Sequence, residues 1–366
     1  MAISPNQVEA LAIEIRRIYA EAEVAILEKI ASRLSRGIDH PGWQERVLAE
    51  ILEHAQEIEK ILGSLGVEVP PLLAEIIARA YEMGIQSADA DLQIKTTVRT
   101  KVDGTNITLV QTETVAGAFQ SINPFAIQAL AAATIGRIEE LHLQILRRSN
   151  DIYRSIIAEV VGTALSGVDT RRQAAQRALN RFADRGIGAF IDRSGRVWDI
   201  ATYTEMATRA AVIQSAVQGH IDRMIQQGRD LVIVSDHKEE CDRCRRWEGK
   251  ILSISGRTPG YPTVAEARAG GLWHPGCGHT INAYIPGRTE IPKGTEDPRG
   301  YEERQKQRYI ERQIRRWKRR EAAAITEEER RFAKAKVREW QARMRKFIEE
   351  TDRRRKYERE SITQAR

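Results

Sequence analysis

All three cysteines of this 366-residue chain lie in two short runs, Cys241-Asp-Arg-Cys244 and His274-Pro-Gly-Cys277-Gly-His279, and two of its seven histidines accompany the third cysteine. Thiolates and imidazoles suit a borderline divalent metal, and a C-x2-C turn offers two of the four ligands that structural zinc takes. The expected ligands are Cys241, Cys244 and Cys277, with His274 or His279 as the fourth. Such a zinc would pin two loops at one end of a small sheet. A redox pair would need the C-x2-C to open a helix after a strand, and Gly249 followed by KILSIS leaves no room for one. His237-x-Glu239 matches half of a zinc-deaminase signature, but it stands too close to Cys241, which no proline precedes. A catalytic zinc would keep one position for water and need a carboxylate nearby; Glu239, Glu240 and Asp242 are the neighbours in sequence. The plain alternative is that the cysteines are small packing residues and the histidines satisfy local loops.

The elements that must carry these residues follow from periodicity and punctuation. Asp230 to Ser235 reads as a short apolar strand leading into the first pair, KILSIS (250–255) as a second strand, and HTINAYIP (279–286) as a third. Thr263-x-x-Glu266 is a capping box for a short helix ending at Gly270-Gly271, and Thr170-x-x-Gln173 is another, for a helix through Phe182. Gly188 to Ile200 alternates around Ser194-Gly195 as a hairpin does, and Thr202-x-x-Glu205 reads as the start of a helix that Gly228 stops. Asp199 and Glu205 fit acids at a helix start, and Trp198, Tyr203 and Trp247 read as core.

Upstream, helical spacing predicts helices near 5–36, 43–63 and 71–90, the last two separated by Pro70-Pro71. The Thr- and Val-rich stretch 93–115 around Asp103-Gly104 reads as a hairpin, and a helical tract follows from about Pro124 to Leu165. Downstream of Pro298 the chain is helical again, with Ile310, Ile314 and Trp317 on one face. After a capping box at Thr326-x-x-Glu329 comes a stripe of Val337, Trp340, Met344 and Phe347. Those stripes need a partner surface, in this chain or another. The fold class is α+β in three parts: a mainly helical region 1–168, an α+β module 169–290 with the Cys/His cluster, and a helical arm 298–366.

Composition narrows the function classes. With 42% hydrophobic residues the chain can bury a real core. No run of eighteen apolar residues is present, so no membrane span is expected, and MAISPNQVEALAIEIRR does not read as a secretory leader. Three cysteines argue against a disulfide scaffold and for synthesis in a reducing cytoplasm. From Tyr301 onward 23 Lys/Arg face 13 Asp/Glu, so the arm is +10 and the remainder −3. The run Arg315-Arg316-Trp317-Lys318-Arg319-Arg320 is a weak nucleic-acid signal, against an ion-paired helix as the bland reading. No phosphate-cradling glycine loop and no G-x-S-x-G turn is present.

Three stretches together, IDRSGRVWDIATYTEMATRAA, DLVIVSDHKEECDRCRRWEGKILSISG and TVAEARAGGLWHPGCGHTINAYIPG, resemble the core of the phage minor capsid protein 2 family, itself similar to Mu F-type head morphogenesis proteins of tailed phages. The resemblance covers about residues 169–320, and the ordered pair C-x2-C-x2-W-x-G-K and G-L-x-H-P-x-C-x-H carries its specificity. Members commonly read HPNCRH where this chain has HPGCGH, so no role of that Asn and Arg is carried over. The resemblance implies a structural virion protein in the phage head, made in the bacterial cytoplasm, with the portal or other capsid proteins as partners. It would act in assembly, packaging or DNA ejection and touch packaged DNA without sequence preference. The alternative is an enzyme on the same module, ADP-ribosyltransferase-like or a zinc-dependent hydrolase or nuclease. The arginine, serine and glutamate constellation of the transferases is not assembled here.

Overall fold

Long helices dominate the chain because apolar residues recur at three- and four-residue spacing over most of its length. The computed structural model describes residues 5–40, 43–93, 98–102, 105–109, 124–166, 170–186, 190–191, 195, 197–236, 239, 241–291, 298–351 and 353–363. In chain order these form α1 (Pro5–Gly37), α2 (Trp43–Leu92), β1 (Val98–Val102), β2 (Thr105–Leu109), α3 (Pro124–Ser166) and α4 (Arg171–Arg185). Then come β3 (Phe190–Ile191), β4 (Val197–Trp198), α5 (Ile200–Gln226), β5 (Leu231–Val234), α6 (Asp242–Arg245) and β6 (Ile251–Ser253). The chain continues with α7 (Val264–Ala269), β7 (Ile281–Ala283), α8 (Pro298–Ala322), α9 (Glu327–Thr351) and α10 (Tyr357–Glu360).

These elements group into two units, and the grouping differs from the three sequential parts read off the sequence. One unit gathers Met1–Ala12, Pro71–Ile135 and Met206–Tyr301; the other gathers Ile13–Pro70, Gly136–Glu205 and Glu302–Arg366. The helical region and the α+β module therefore each contribute to both.

In the first unit β5 is the central strand of an antiparallel sheet of order β6-β5-β7, with Val232 opposite both Leu252 and Ala283. Two helices cross beside it at backbone contact. A Cβ at Gly84 of α2 would lie 2.0 Å from the Ala216 carbonyl oxygen of α5, and one at Gly219 would lie 2.1 Å from that of Tyr81. Only glycine permits this approach. The Tyr81 hydroxyl donates to Asp222 at 2.7 Å and the Ser215 hydroxyl to the Ile77 carbonyl at 2.7 Å, while the Ala283 N–H reaches Asp91 at 2.9 Å and ties β7 to the end of α2. The hairpin expected at 93–115 is present as β1 and β2, paired from Val98↔Leu109 to Val102↔Thr105; its turn lies outside the described residues.

In the second unit α8 and α9 bury Ile310 and Ile314 against Met344 and Phe347, with Trp340 alongside. The stripes that needed a partner surface find it in each other. Capping at Thr170 has both halves of the expected box, and Thr326 accepts the Glu329 N–H at 3.3 Å. The short hairpin pairs Phe190 with Trp198 and Ile191 with Val197.

Two expectations need correction. Pro70-Pro71 does not separate two helices: α2 runs through it. The buried stripe Leu62, Leu65, Val69, Leu73, Ile76 and Ile77 keeps helical spacing across the prolines. The carbonyls the prolines cannot bond belong to Gly66 and Val67, both on the exposed side of the helix. Also, α2 is apolar enough over one window to cross a membrane by composition, yet it alternates this stripe with exposed Glu68, Glu75 and Arg79, as a helix packed by one face does. The second correction is at α5. It starts at Ile200, with the Asp199 carboxylate accepting the Thr202 N–H at 2.9 Å, so Asp199 rather than Thr202 caps it. Glu205 is thereby freed for a buried charge cluster.

That cluster holds the C-terminal segment in the second unit. The Arg16 guanidinium, fully buried, donates to the carbonyls of Glu358 (2.7 Å), Arg359 (3.0 Å) and Ser361 (3.2 Å), and lies 3.4 Å from Glu205. Arg359 bonds Glu311 at 2.7 Å and also Glu205. Burial, with Arg315 and Arg359 close by, lowers the Arg16 pKa to about 9.

Gly84→Ala should destabilise the protein by about 2–3 kcal/mol through overpacking. Gly63→Ala, facing open space on the same helix, should stabilise it by about 0.5–1 kcal/mol. Urea midpoints compare the two directly. Arg359→Ala leaves two buried carboxylates short of a partner and should cost about 3–5 kcal/mol in the same assay.

Candidate metal centre

Strand β5 ends at Val234 and its continuation is fastened on both sides. The Val234 N–H donates to the Lys250 carbonyl at 3.0 Å, the Gly249 N–H to the Val234 carbonyl at 3.1 Å, and the Ser235 N–H to the Thr280 carbonyl at 2.9 Å. The loop after β5 and the loop before β7 therefore emerge side by side at one end of the sheet. That is the placement two metal-bearing loops require.

Each loop closes a four-residue turn, the first opening α6 and the second non-helical. The Cys244 N–H donates to the Cys241 carbonyl at 2.9 Å, and the Cys277 N–H donates to the His274 carbonyl at 2.9 Å. The second turn contains Gly276 at φ +89°, a conformation side-chain-bearing residues avoid. Facing one another, the turns bring the His274 Nε2 to 3.0 Å from the Cys241 Sγ and the Cys244 Sγ to 3.5 Å from the Cys277 Sγ. The His279 Nδ1 is 3.3 Å from the Cys277 Sγ. All five expected residues thus converge as two trios sharing Cys244, namely Cys241, Cys244 and His274, and Cys244, Cys277 and His279, with donor atoms in each trio within 4.8 Å of one another. Three thiols and two imidazoles at such separations suit a zinc-like ion.

Sequence reading missed Glu248. It was passed over in favour of Glu239, Glu240 and Asp242 because those flank the cysteines. Its carboxylate accepts from the His279 Nε2 at 2.5 Å, and both side chains are almost wholly buried (2% and 1% exposed). The usable signal was the W-x-G context: the turn after Cys244, in which Trp247 bonds the Cys244 carbonyl and Gly249 takes φ +66°, directs residue 248 inward. By contrast the Asp242 side chain is 95% exposed and paired with Arg245. Glu240 and His237 lie outside the described residues. Trp273, at φ +58°, donates its indole N–H to the His279 carbonyl at 3.0 Å, and Trp247 lies where a Cβ on Gly270 would stand 2.5 Å from its ring.

The electrostatics couple these groups. The Cys244 hydrogen bond lowers the Cys277 pKa to about 4, and the His279 contacts assist against burial. Cys244 is pushed well up by that same bond and by burial. His279 rises to about 9 because its bonds to Cys277 and Glu248 outweigh burial. Glu248, His279 and Cys277 form a carboxylate–imidazole–thiolate line such as activates a nucleophile. A nucleophile must also meet substrate, and Cys277 is 4% exposed, with its sulfur against Cys244.

The basic run 315–320 lies elsewhere, in the second unit, and most of its charge is spent inside the fold. Arg315 and Arg319 are buried, bonded to the Arg359 and Ala183 carbonyls at 2.7 and 2.9 Å. Arg316 and Arg320 both grip Asp184, each with two bonds of 2.6–2.7 Å. Burial lowers the Lys318 pKa, and Trp317 packs edge-on to Phe332 at 5.6 Å. Four of the run's five cations are therefore committed to partners in the same unit.

Comparison with known proteins gives two matches. The family model described as phage minor capsid protein 2 matches residues 3–349. A protein named "Structural protein" from Lactococcus phage LL-H is 22% identical over 295 residues, covering 77% of this chain and 77% of its own. No solved structure matches.

The lowered Cys277 and raised His279 pKa values imply a pH dependence for the metal-free protein. Depression of Cys277 adds stability that is lost as pH falls from its unfolded value, near 8.5, toward 4. Elevation of His279 adds stability that is lost as pH rises from 6.5 to 9. The two slopes cancel between about 6.5 and 8.5 and leave a loss on acidification from about 6.5 to 4. Melting curves in chelator should be flat over the first window and fall over the second, and Cys277→Ser should remove the acid slope.

Proposed function

We propose, for a chain that belongs to the phage minor capsid protein 2 family, an architectural role in the phage head, at or near the portal vertex, in assembly, packaging or DNA ejection. The observation that carries this reading is the two-loop Cys/His cluster. Its donors face one another across two loops, Cys244, Cys277 and His279 buried and Cys241 and His274 half-buried, as a staple needs. We propose zinc as the resident metal, with Cys241, Cys244 and Cys277 as thiolate ligands and a histidine as the fourth. When bound, the ion would supply cross-linking energy to a module whose sheet is very small.

The partners in this reading are other capsid or portal proteins. Large apolar side chains left exposed on the long helices, Phe125 and Leu143 of α3 and Leu52 and Val67 of α2, offer contact points. Contact with packaged DNA would fall to solvent-facing cations of α9 such as Arg331 and Lys346, weak and non-specific, rather than to the 315–320 run.

Purified particles test this role. Quantitative mass spectrometry should find the intact chain retained in particles at a few copies, far below the major shell protein. Its absence from particles would overturn the reading. Elemental analysis of the isolated protein should give about one zinc per chain, and Cys277→Ser should lose it together with several degrees of melting temperature.

A further inference from the structure

We infer that the metal ligands are Cys241, Cys244, His274 and Cys277, and that His279, braced by Glu248, is an outer partner of Cys277 rather than a ligand. This rests on the metal reading above and decides between the two histidines.

The argument begins with the two turns. Cys241-x2-Cys244 and His274-x2-Cys277 have the same spacing and the same main-chain bond, 2.9 Å in each, so each presents its first and fourth side chains from one side of a turn. Two such turns face to face offer four donors, the number a tetrahedral site takes. His274 is oriented for this. Its Nδ1 lies 2.8 Å from the Pro275 carbonyl, which holds the proton there and leaves the Nε2 lone pair directed at the cluster.

His279 stands differently. It is outside the second turn, and its own main-chain N–H donates to the Cys277 Sγ at 3.3 Å, the same distance as its ring Nδ1. Two donors from one residue aimed at one sulfur describe hydrogen bonding to a thiolate. On the far side Glu248 accepts from Nε2 at 2.5 Å. The close trio of Cys244, Cys277 and His279 is then two thiolate ligands and the residue that donates to one of them.

Cobalt(II) replaces zinc as the probe, since its visible spectrum reports the ligand atoms. The wild-type protein should bind about one cobalt per chain with a three-sulfur, one-nitrogen spectrum. His274→Cys should keep the metal and gain sulfur-to-cobalt absorption. His279→Cys and Glu248→Gln should keep the wild-type spectrum while affinity falls by about 10–100-fold, the range for outer partners. The reverse pattern, with His279→Cys changing the spectrum and His274→Cys leaving it unchanged, would overturn the assignment and leave the metal site standing. No cobalt bound by folded wild-type protein would instead remove the metal site, and the assignment with it. His274→Cys supplies a working ligand, so it stays informative where an alanine variant would unfold.

Discussion

A sheet whose strands have four, three and three residues cannot hold its own loops by burial, and this constraint shapes the first unit. Both ends of the sheet are accordingly fastened by side-chain chemistry. At one end the Asp230 carboxylate collects the Ser253 hydroxyl at 2.7 Å, the Ser255 N–H at 2.7 Å and the Thr258 hydroxyl at 2.5 Å. At the other end the cysteines and histidines of two loops meet. The sheet is thus a short spacer between two clips, carried on helices that touch through Gly84 and Gly219.

The second unit solves a related problem with charge instead of sulfur. Its terminal helix α10 has only four residues, too few to be stable alone. Arg16 and Arg315 take its main-chain carbonyls, and Arg359 reaches back between Glu205 and Glu311. Buried ion pairs of this sort add little net stability, since desolvation offsets most of the attraction. What they supply is register: a guanidinium that must find two carboxylates at fixed positions fits in one way. A chain that reads as a basic tail is therefore, over 315–320, an internal fastening.

The same cluster of groups can look catalytic or structural according to exposure alone. Glu248, His279 and Cys277 are aligned as an activated thiol would be, yet each is turned into the protein. An architectural role for a phage head protein needs the opposite of an open pocket, namely a rigid body that keeps its shape while neighbours bind its exterior. The buried side of the cluster, Cys244, Cys277, His279 and the Glu248 carboxylate, suits that need.

Much of this was determined by sequence alone. Capping boxes at Thr170 and Thr263, the three short strands, the α8–α9 stripes and the two runs of metal-type side chains all follow from local pattern, because each depends on residues close in the chain or on spacing within one turn; that the two runs meet, thirty-three positions apart, is the work of the sheet. The paired motifs around Cys241 and His274 also carried the resemblance to the phage family. Tertiary structure decided the rest. Whether Pro70-Pro71 ends a helix depended on which side of α2 was buried. Whether Asp199 or Thr202 caps α5 depended on Arg16 and Arg359, more than a hundred residues from Glu205, claiming that glutamate. The fate of the 315–320 cations depended on Asp184 and Arg359. Glu248 became part of the site only because the turn after Cys244 aims it at a histidine thirty-one positions away. Charge and burial are properties of the folded neighbourhood, and no local pattern states which charges will share one.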